Sequence, residues 1–150
     1  APSRKLAGVG VAVTGDPGLT DAVSGVLTSE LGAAGLKVVD AQSLPATEDL
    51  LRGGNPSAAR LIDELRNEGL AVLLLARVEP AGQRQLNYMG RSDTAYSARV
   101  TITSYDLATG RPFGTPGRAT IEYTAATADR ESEKVIGRLA RSMSESIQNH

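Results

Sequence analysis

Glu30-Leu31-Gly32-Ala33-Ala34-Gly35-Leu36-Lys37-Val38 is echoed downstream by Glu64-Leu65-Arg66-Asn67-Glu68-Gly69-Leu70-Ala71-Val72, and both stretches read Glu-Leu-x-x-x-Gly-Leu-x-Val. The shared chemistry is that of a helix stop. Glycine takes the left-handed conformation past the last turn, and the apolar residue after it packs back on the helix. Each copy then runs into β-prone residues. The echo therefore marks two successive helix–strand units rather than an array of helical repeats.

Working outward, residues 8–13, Gly-Val-Gly-Val-Ala-Val, read as a buried strand followed by the turn Thr14-Gly15-Asp16-Pro17-Gly18. Leu19, Val23, Val26, Leu27 and Leu31 recur at helical spacing, which predicts an amphipathic helix over 19–34. Lys37 to Ala41 is the second strand. Residues 42–56 form a long connection, with one helical turn over 47–52 broken at Gly53-Gly54. Asn55 is placed to cap the second helix, with Pro56 at its first position. Ala58, Leu61, Ile62 and Leu65 supply its apolar stripe. The third strand, Ala71 to Val78, is apolar almost throughout, as a strand buried on both faces is. Right-handed crossovers make these three strands a parallel core.

The pattern changes after Pro80. Residues 83–89 alternate weakly, with Leu86 and Tyr88 on one face. Residues 96–107 alternate with Val100 and Ile102 inward and Arg99, Thr101 and Thr103 outward; the turn Asp106-Leu107-Ala108-Thr109-Gly110 ends them. Arg118 to Ala125 alternates again. These three segments read as an antiparallel meander. A last helix over 128–148 presents Val135, Ile136, Leu139, Ala140, Met143 and Ile147 to the sheet. The expected order is β-α-β-α-β-β-β-β-α. This is an α/β chain with α+β character: a mixed sheet with a parallel core and an antiparallel meander, and helices packed on it. Residues 1–7 are expected to be a flexible N-terminal segment and 8–150 a single α/β domain.

Composition removes several functions. Sixteen Lys and Arg against 17 Asp and Glu leave a net charge of −1 with no basic run, so nucleic acid is not an expected partner. With no cysteine, thiolate catalysis and cysteine zinc sites are excluded. The single histidine is His150, which leaves no Ser–His–Asp triad and no histidine metal site. Lys5, Lys37 and Lys134 lack a Ser-x-x-Lys setting. The carboxylate pairs Glu48-Asp49, Asp63-Glu64 and Glu131/Glu133 suit exposed helix faces better than a glycosidase dyad. Aromatics at 3%, with no Trp, would line a sugar cleft poorly. The expectation is no enzyme, no cofactor and no metal. The longest apolar run, Leu70 to Ala76, falls far short of the roughly 20 residues that span a bilayer, so any membrane anchor is expected to lie outside this chain.

Two glycine motifs resemble ligand loops. Gly8-Val9-Gly10 lacks the third glycine of a dinucleotide fingerprint, since Val13 stands there, and lies within a strand, so it reads as close strand packing. Gly15-Asp16-Pro17-Gly18 precedes a helix but has no Walker lysine, so Asp16 or Thr20 reads as a helix cap. Tyr88, Met89, Arg91, Tyr96 and Arg99 gather around Gly90-Arg91-Ser92-Asp93 at the meander tip. Tyr and Arg are the residue types enriched at binding hot spots.

Together these stretches resemble the α/β domain shared by the TolB N-terminal domain, the curli-secretion lipoprotein CsgG, the penicillin-binding-protein activator LpoB and the flagellar protein FlgT. The features that carry the resemblance lie in residues 8–125. They are the strand ending in Gly15-Asp16-Pro17, Gly35-Leu36-Lys37-Val38-Val39-Asp40, Leu50-Leu51, Gly69-Leu70-Ala71-Val72-Leu73-Leu74 and Tyr105-Asp106-Leu107-Ala108-Thr109-Gly110. The chain departs from CsgG-like members at Ala41, where they often carry arginine, and it has no lipobox cysteine. The resemblance implies a non-catalytic bacterial envelope module, periplasmic or outer-membrane-associated, that recruits or regulates other envelope proteins. On that reading Tyr88, Met89, Arg91, Tyr96 and Arg99 form the protein-binding surface. The alternative is a small-ligand-sensing extracytoplasmic domain of a larger membrane protein such as a receptor kinase. Its crevice would lie at the carboxyl ends of the parallel strands, with Thr14, Gly15, Asp16 and Asp40.

Overall fold

A computed structural model describes residues 8–15, 17–41, 44, 57–124 and 126–148. The elements are β1 (Val9–Gly15), α1 (Pro17–Ala33), β2 (Val38–Asp40), α2 (Ala58–Arg66), β3 (Val72–Tyr88), β4 (Arg91–Asp106), β5 (Arg111–Tyr123) and α3 (Ala128–Gln148). They build one five-stranded sheet in the order β2-β1-β3-β4-β5. β1 pairs in parallel with β2 and β3, while β4 runs antiparallel to β3 and β5. The mixed sheet with helices packed on it is the architecture expected from the sequence.

The expected third and fourth strands are a single strand, so the sheet has five strands rather than six. Pro80 does not end β3; the register slips between Pro80 and Gly82, against Ala98 and Ser97. The last β1–β3 pair is Gly15↔Val78, so the strand edge at Pro80 faces no neighbour in β1. A proline is tolerated where the N–H has no ladder partner, and a bulge absorbs the extra residue. The last strand also starts earlier than the alternation from Arg118 suggests, at Arg111. Its Pro112 and Pro116 are admissible because β5 is the edge of the sheet.

Both helix stops follow from the echoed sequence, with different bonding. Gly35 has φ 91°, the Leu36 N–H donates to the Leu31 carbonyl at 3.1 Å, and the Gly35 N–H donates to the Gly32 carbonyl at 3.0 Å. This is the Schellman pair of bonds. At the second copy, Gly69 has φ 76° and the Glu68 and Gly69 N–H groups bond Leu65 and Arg66, three residues back. The start of α2 corrects the expected cap. Ser57 is the cap, and its Oγ accepts from the Arg60 N–H at 3.3 Å. Asn55, Pro56 and the expected turn over 47–52 lie outside the described residues, as do residues 1–7.

The sheet has a core on each face. Val9, Val11, Val13, Val72, Leu74, Ala76, Val100, Ile102 and Ile121 pack with Leu19, Val23, Leu27 and Leu31 of α1 and Ile136, Ala140, Met143 and Ile147 of α3. On the other face Ala12, Leu73 and Leu75 pack with Leu61, Ile62 and Leu65 of α2. Alternate β3 residues thus feed opposite cores, which explains the unbroken apolar run. A Cβ on Gly10 would meet Leu70 at 3.1 Å and Leu65 at 3.3 Å, and one on Gly8 would stand 2.9 Å from the Lys37 carbonyl oxygen. Both glycines are there for close packing.

Candidate functional site

Beyond Gly15↔Val78 on one side and Tyr96↔Tyr123 on the other, β3 and β4 continue as a two-stranded arm with neither β1 nor β5 beside it. Residues 79–85 are exposed, as are Asn87, Ser92 and Asp93. Pairing runs to Tyr88↔Arg91, leaving a two-residue loop of Met89 and Gly90. Their φ values are 49° and 77°, both positive, as a type I′ hairpin turn requires. Asn-Gly is the favoured pair there; Met in a left-handed conformation costs roughly 1–2 kcal/mol. Met89 is 87% exposed, so no burial offsets that cost.

The expected binding residues do not converge. Met89 sits at the tip, and the Tyr88 and Arg91 backbones flank it; their side chains lie outside the described residues. Tyr96 is about 17 Å back along β4 from Arg91 and Arg99 about 27 Å, at roughly 3.4 Å per residue. Tyr96 lies on the α1/α3 face, where its ring stacks on Tyr123 at 5.5 Å between centroids. Arg99, an odd number of residues away, lies on the opposite face and is exposed. The arm is held by polar contacts. Ser92 Oγ donates to Asn87 Oδ1 at 3.2 Å, and Arg84 reaches across β4 to Glu122 at 3.7 Å.

At the carboxyl ends of the parallel strands, Thr14 is buried and Gly15 is wedged against β3. A Cβ on Gly15 would stand 1.8 Å from the Val78 carbonyl oxygen. Asp40 accepts from the Ser24 Oγ at 3.2 Å, tying β2 to α1. Asp16 lies outside the described residues. The three described residues thus serve strand and helix packing. The Asp-x-x-Thr-Gly turn is likewise a packing device. Asp106 Oδ1 accepts from the Ala108 N–H at 2.8 Å, and Arg66 Nε donates to the Leu107 carbonyl at 2.8 Å.

A feature the sequence reading did not single out is a groove of about 450 Å³ between α1 and α3. Its lining includes Asp21, Glu30, Asp129 and Glu133 together with Ala22, Gly25 and Val26. Glu30 has Arg141 at 4.0 Å. Asp129 and Glu133 stand one helical turn apart, the only part of this signal visible in the sequence. Among the described residues no group of three or more His, Cys, Asp or Glu could hold a metal ion, and no helix is long and apolar enough to cross a membrane.

No protein-family model and no curated protein matches this sequence. Solved structures do match. The PelC dodecamer from Paraburkholderia phytofirmans gives a TM-score of 0.60 at 16% identity, covering 92% of this chain and 87% of that one. Lipoprotein GNA1162 from Neisseria meningitidis gives 0.54 at 17% identity, covering 96% and 99%. The LpoB C-terminal domain from Salmonella enterica, a member of the group the sequence resembles, is also matched, over 81% and 87% at 15% identity. Its TM-score is 0.45. At these identities the first two likenesses establish one thing: this chain has the fold of PelC and of a bacterial lipoprotein.

Proposed function

We propose that this chain is a non-catalytic bacterial envelope domain, periplasmic or outer-membrane-associated, that recognises other envelope proteins through the tip of its β3–β4 arm. The observation that carries the reading is Met89: an apolar side chain, 87% exposed, on a left-handed backbone at the end of an arm outside both cores. Strain of this kind at an exposed tip contributes nothing to the core, and strained positions cluster at recognition sites. The envelope assignment is supported by the fold shared with lipoprotein GNA1162. Tyr88 and Arg91, beside Met89 in the ladder, are the flanking contacts.

The test is Met89→Asn. Asn-Gly is the preferred type I′ pair, so the hairpin keeps its turn while losing the apolar contact. Immobilised wild-type domain is expected to capture a defined partner from bacterial envelope extract, and the variant to bind that partner about thirtyfold or more weakly, as loss of a hot spot does. A partner held equally by both would refute the tip as the site. No captured partner at all would refute the reading.

A further inference from the structure

The sheet has one long edge that is neither paired nor blunted. β1 stops pairing at Gly15↔Val78, so from Glu79 to Tyr88 β3 has β4 on one side and, among the described residues, no strand on the other. Alternate residues of such an edge aim N–H and C=O groups outward, where they can template pairing with another chain. The remaining edges are protected. β2 is three residues long. β5 carries Pro112 and Pro116, which offer no N–H, and its register slips opposite Ile102 and Ser104. The free edge of β4 runs only from Arg91 to Ala95, because Tyr96 already pairs with Tyr123. On β3, Pro80 and the bulge beside it stand at the base of the arm. The run beyond them, Gly82 to Tyr88, contains no proline, no lysine and no carboxylate. Its one charge, Arg84, lies 3.7 Å from Glu122.

The side chains of this run are complementary to themselves. Gln83 stands opposite Tyr96, whose ring stacks on Tyr123 on the α1/α3 face, so Gln83, Gln85 and Asn87 share that face. All three are exposed. An amide is both donor and acceptor, so two facing amides satisfy each other, which two carboxylates or two guanidinium groups cannot do. Asn87 Oδ1 accepts from Ser92 Oγ at 3.2 Å, which leaves the Asn87 amino group to donate elsewhere.

We infer that this edge of β3 pairs antiparallel with the same edge of a second copy, about a two-fold axis through Gln85. The run from Gly82 to Tyr88 is centred on Gln85, so this register uses all of it. Gln85 then faces Gln85 of the second copy, Gln83 faces its Asn87, and Arg84 faces its Leu86. An axis at Arg84 would set two guanidinium groups against each other and draw in Pro80, and like charges directly opposite are destabilising. An axis at Leu86 would leave Gly82 and Gln83 unpaired. With the axis at Gln85, the Met89-Gly90 turn of each copy lies beside Pro80 and Ala81 of the other. That is short of Val78, where β1 ends, so β1 does not block the pairing. The contact is isologous and joins the two arms into one antiparallel four-stranded ribbon. About six to eight new backbone hydrogen bonds form along it. It uses main chain and amides rather than the Met89 side chain, so it stands apart from partner recognition at the tip.

The experiment is sedimentation velocity of the full chain over a range of protein concentrations, with amide hydrogen exchange as a second readout. Wild type is expected to dimerise, at low salt and at high salt alike, with amides in 82–88 gaining protection as concentration rises. Gln85→Lys and Gln85→Glu each place like charges together at the axis. Each alone is expected to dimerise at least about fivefold more weakly at low salt, and an equimolar mixture of the two to dimerise again, because ammonium then faces carboxylate. Gln83→Lys faces only Asn87 and is expected to stay within about twofold of wild type. Gln83 and Gln85 are exposed and lie outside both cores, and circular dichroism checks that the variants fold. A wild type that is monomeric at every concentration overturns the inference. So do dimers that Gln85→Lys does not weaken, dimers without protection in 82–88, and a mixture that fails to associate. Monomeric wild type whose 82–88 amides become protected only in envelope extract also overturns it, and assigns the edge to a strand of another protein.

Discussion

Replacing Gly15 by alanine should be among the most damaging single changes in this chain. Gly15 has φ 114°, a region that ordinary side chains occupy only at a cost of about 1–3 kcal/mol. The new Cβ would stand 1.8 Å from the Val78 carbonyl oxygen, whereas real Cβ contacts essentially never fall under 3.0 Å. Something must therefore move by more than an ångström. Val78 cannot yield cheaply, because it is buried and is paired with Gly15 on one side and Val100 on the other. Opening the end of the β1–β3 ladder forfeits one or two backbone hydrogen bonds at about 1 kcal/mol each. The sum is about 3 kcal/mol or more, a large part of the roughly 5–15 kcal/mol that holds a domain together. For about 150 residues this lowers the midpoint by about 6–12 °C. Urea and thermal unfolding followed by circular dichroism measure it. Gly25→Ala is the matched control: exposed on α1 with nothing within 4 Å of its Cβ, it should gain about 0.5–1 kcal/mol of helix stability. A Gly15→Ala protein within about 0.5 kcal/mol of wild type would refute the reasoning, and with it the assignment of Gly15 to packing rather than to a ligand crevice.

Other outcomes follow from single contacts. Arg66→Ala removes the 2.8 Å bond from Nε to the carbonyl of the buried Leu107 and should cost about 1–3 kcal/mol in urea unfolding, whereas Asp63→Asn, which breaks only an exposed 3.9 Å pair, should change stability by under about 0.5 kcal/mol. Ser57→Ala should cost about 1 kcal/mol and Ser57→Asp little, because aspartate also accepts from the Arg60 N–H; an equal loss in both would show that the cap contributes nothing. Met89→Asn, beyond its effect on partner capture, should raise the urea midpoint by relieving part of the roughly 1–2 kcal/mol of left-handed strain; a lower midpoint would mean that the Met89 side chain stabilises the arm.

Much of the fold is legible in local chemistry. The periodic apolar residues of α1 and α3 and the glycine–leucine stops at Gly35 and Gly69 depend on neighbours within a turn or two, so the chain itself specifies them. The run Leu73-Leu74-Leu75 announces a strand between two cores, and the sheet supplies both. The absence of cysteine and the terminal position of His150 restrict the available chemistry whatever the fold. What the sequence could not decide were relations between distant residues. Pro80 has the look of a break, yet β3 passes through it, because β1 has already ended and no partner asks for the missing N–H. The prolines and glycines of β5 hide a strand that only the edge of a sheet can accept. The candidate site divides in the same way. Tyr88, Met89 and Arg91 are adjacent in sequence and stay adjacent at the tip. Tyr96 and Arg99 close the same stretch of sequence, but strand alternation sends them to opposite faces, far from the tip. Composition determined a near-neutral, cysteine-free α/β chain, because counts and short-range periodicity survive in one dimension. Where Asp21, Asp129 and Glu133 come together, along the groove between α1 and α3, was decided only by strand register and helix packing. Those join residues separated by most of the chain.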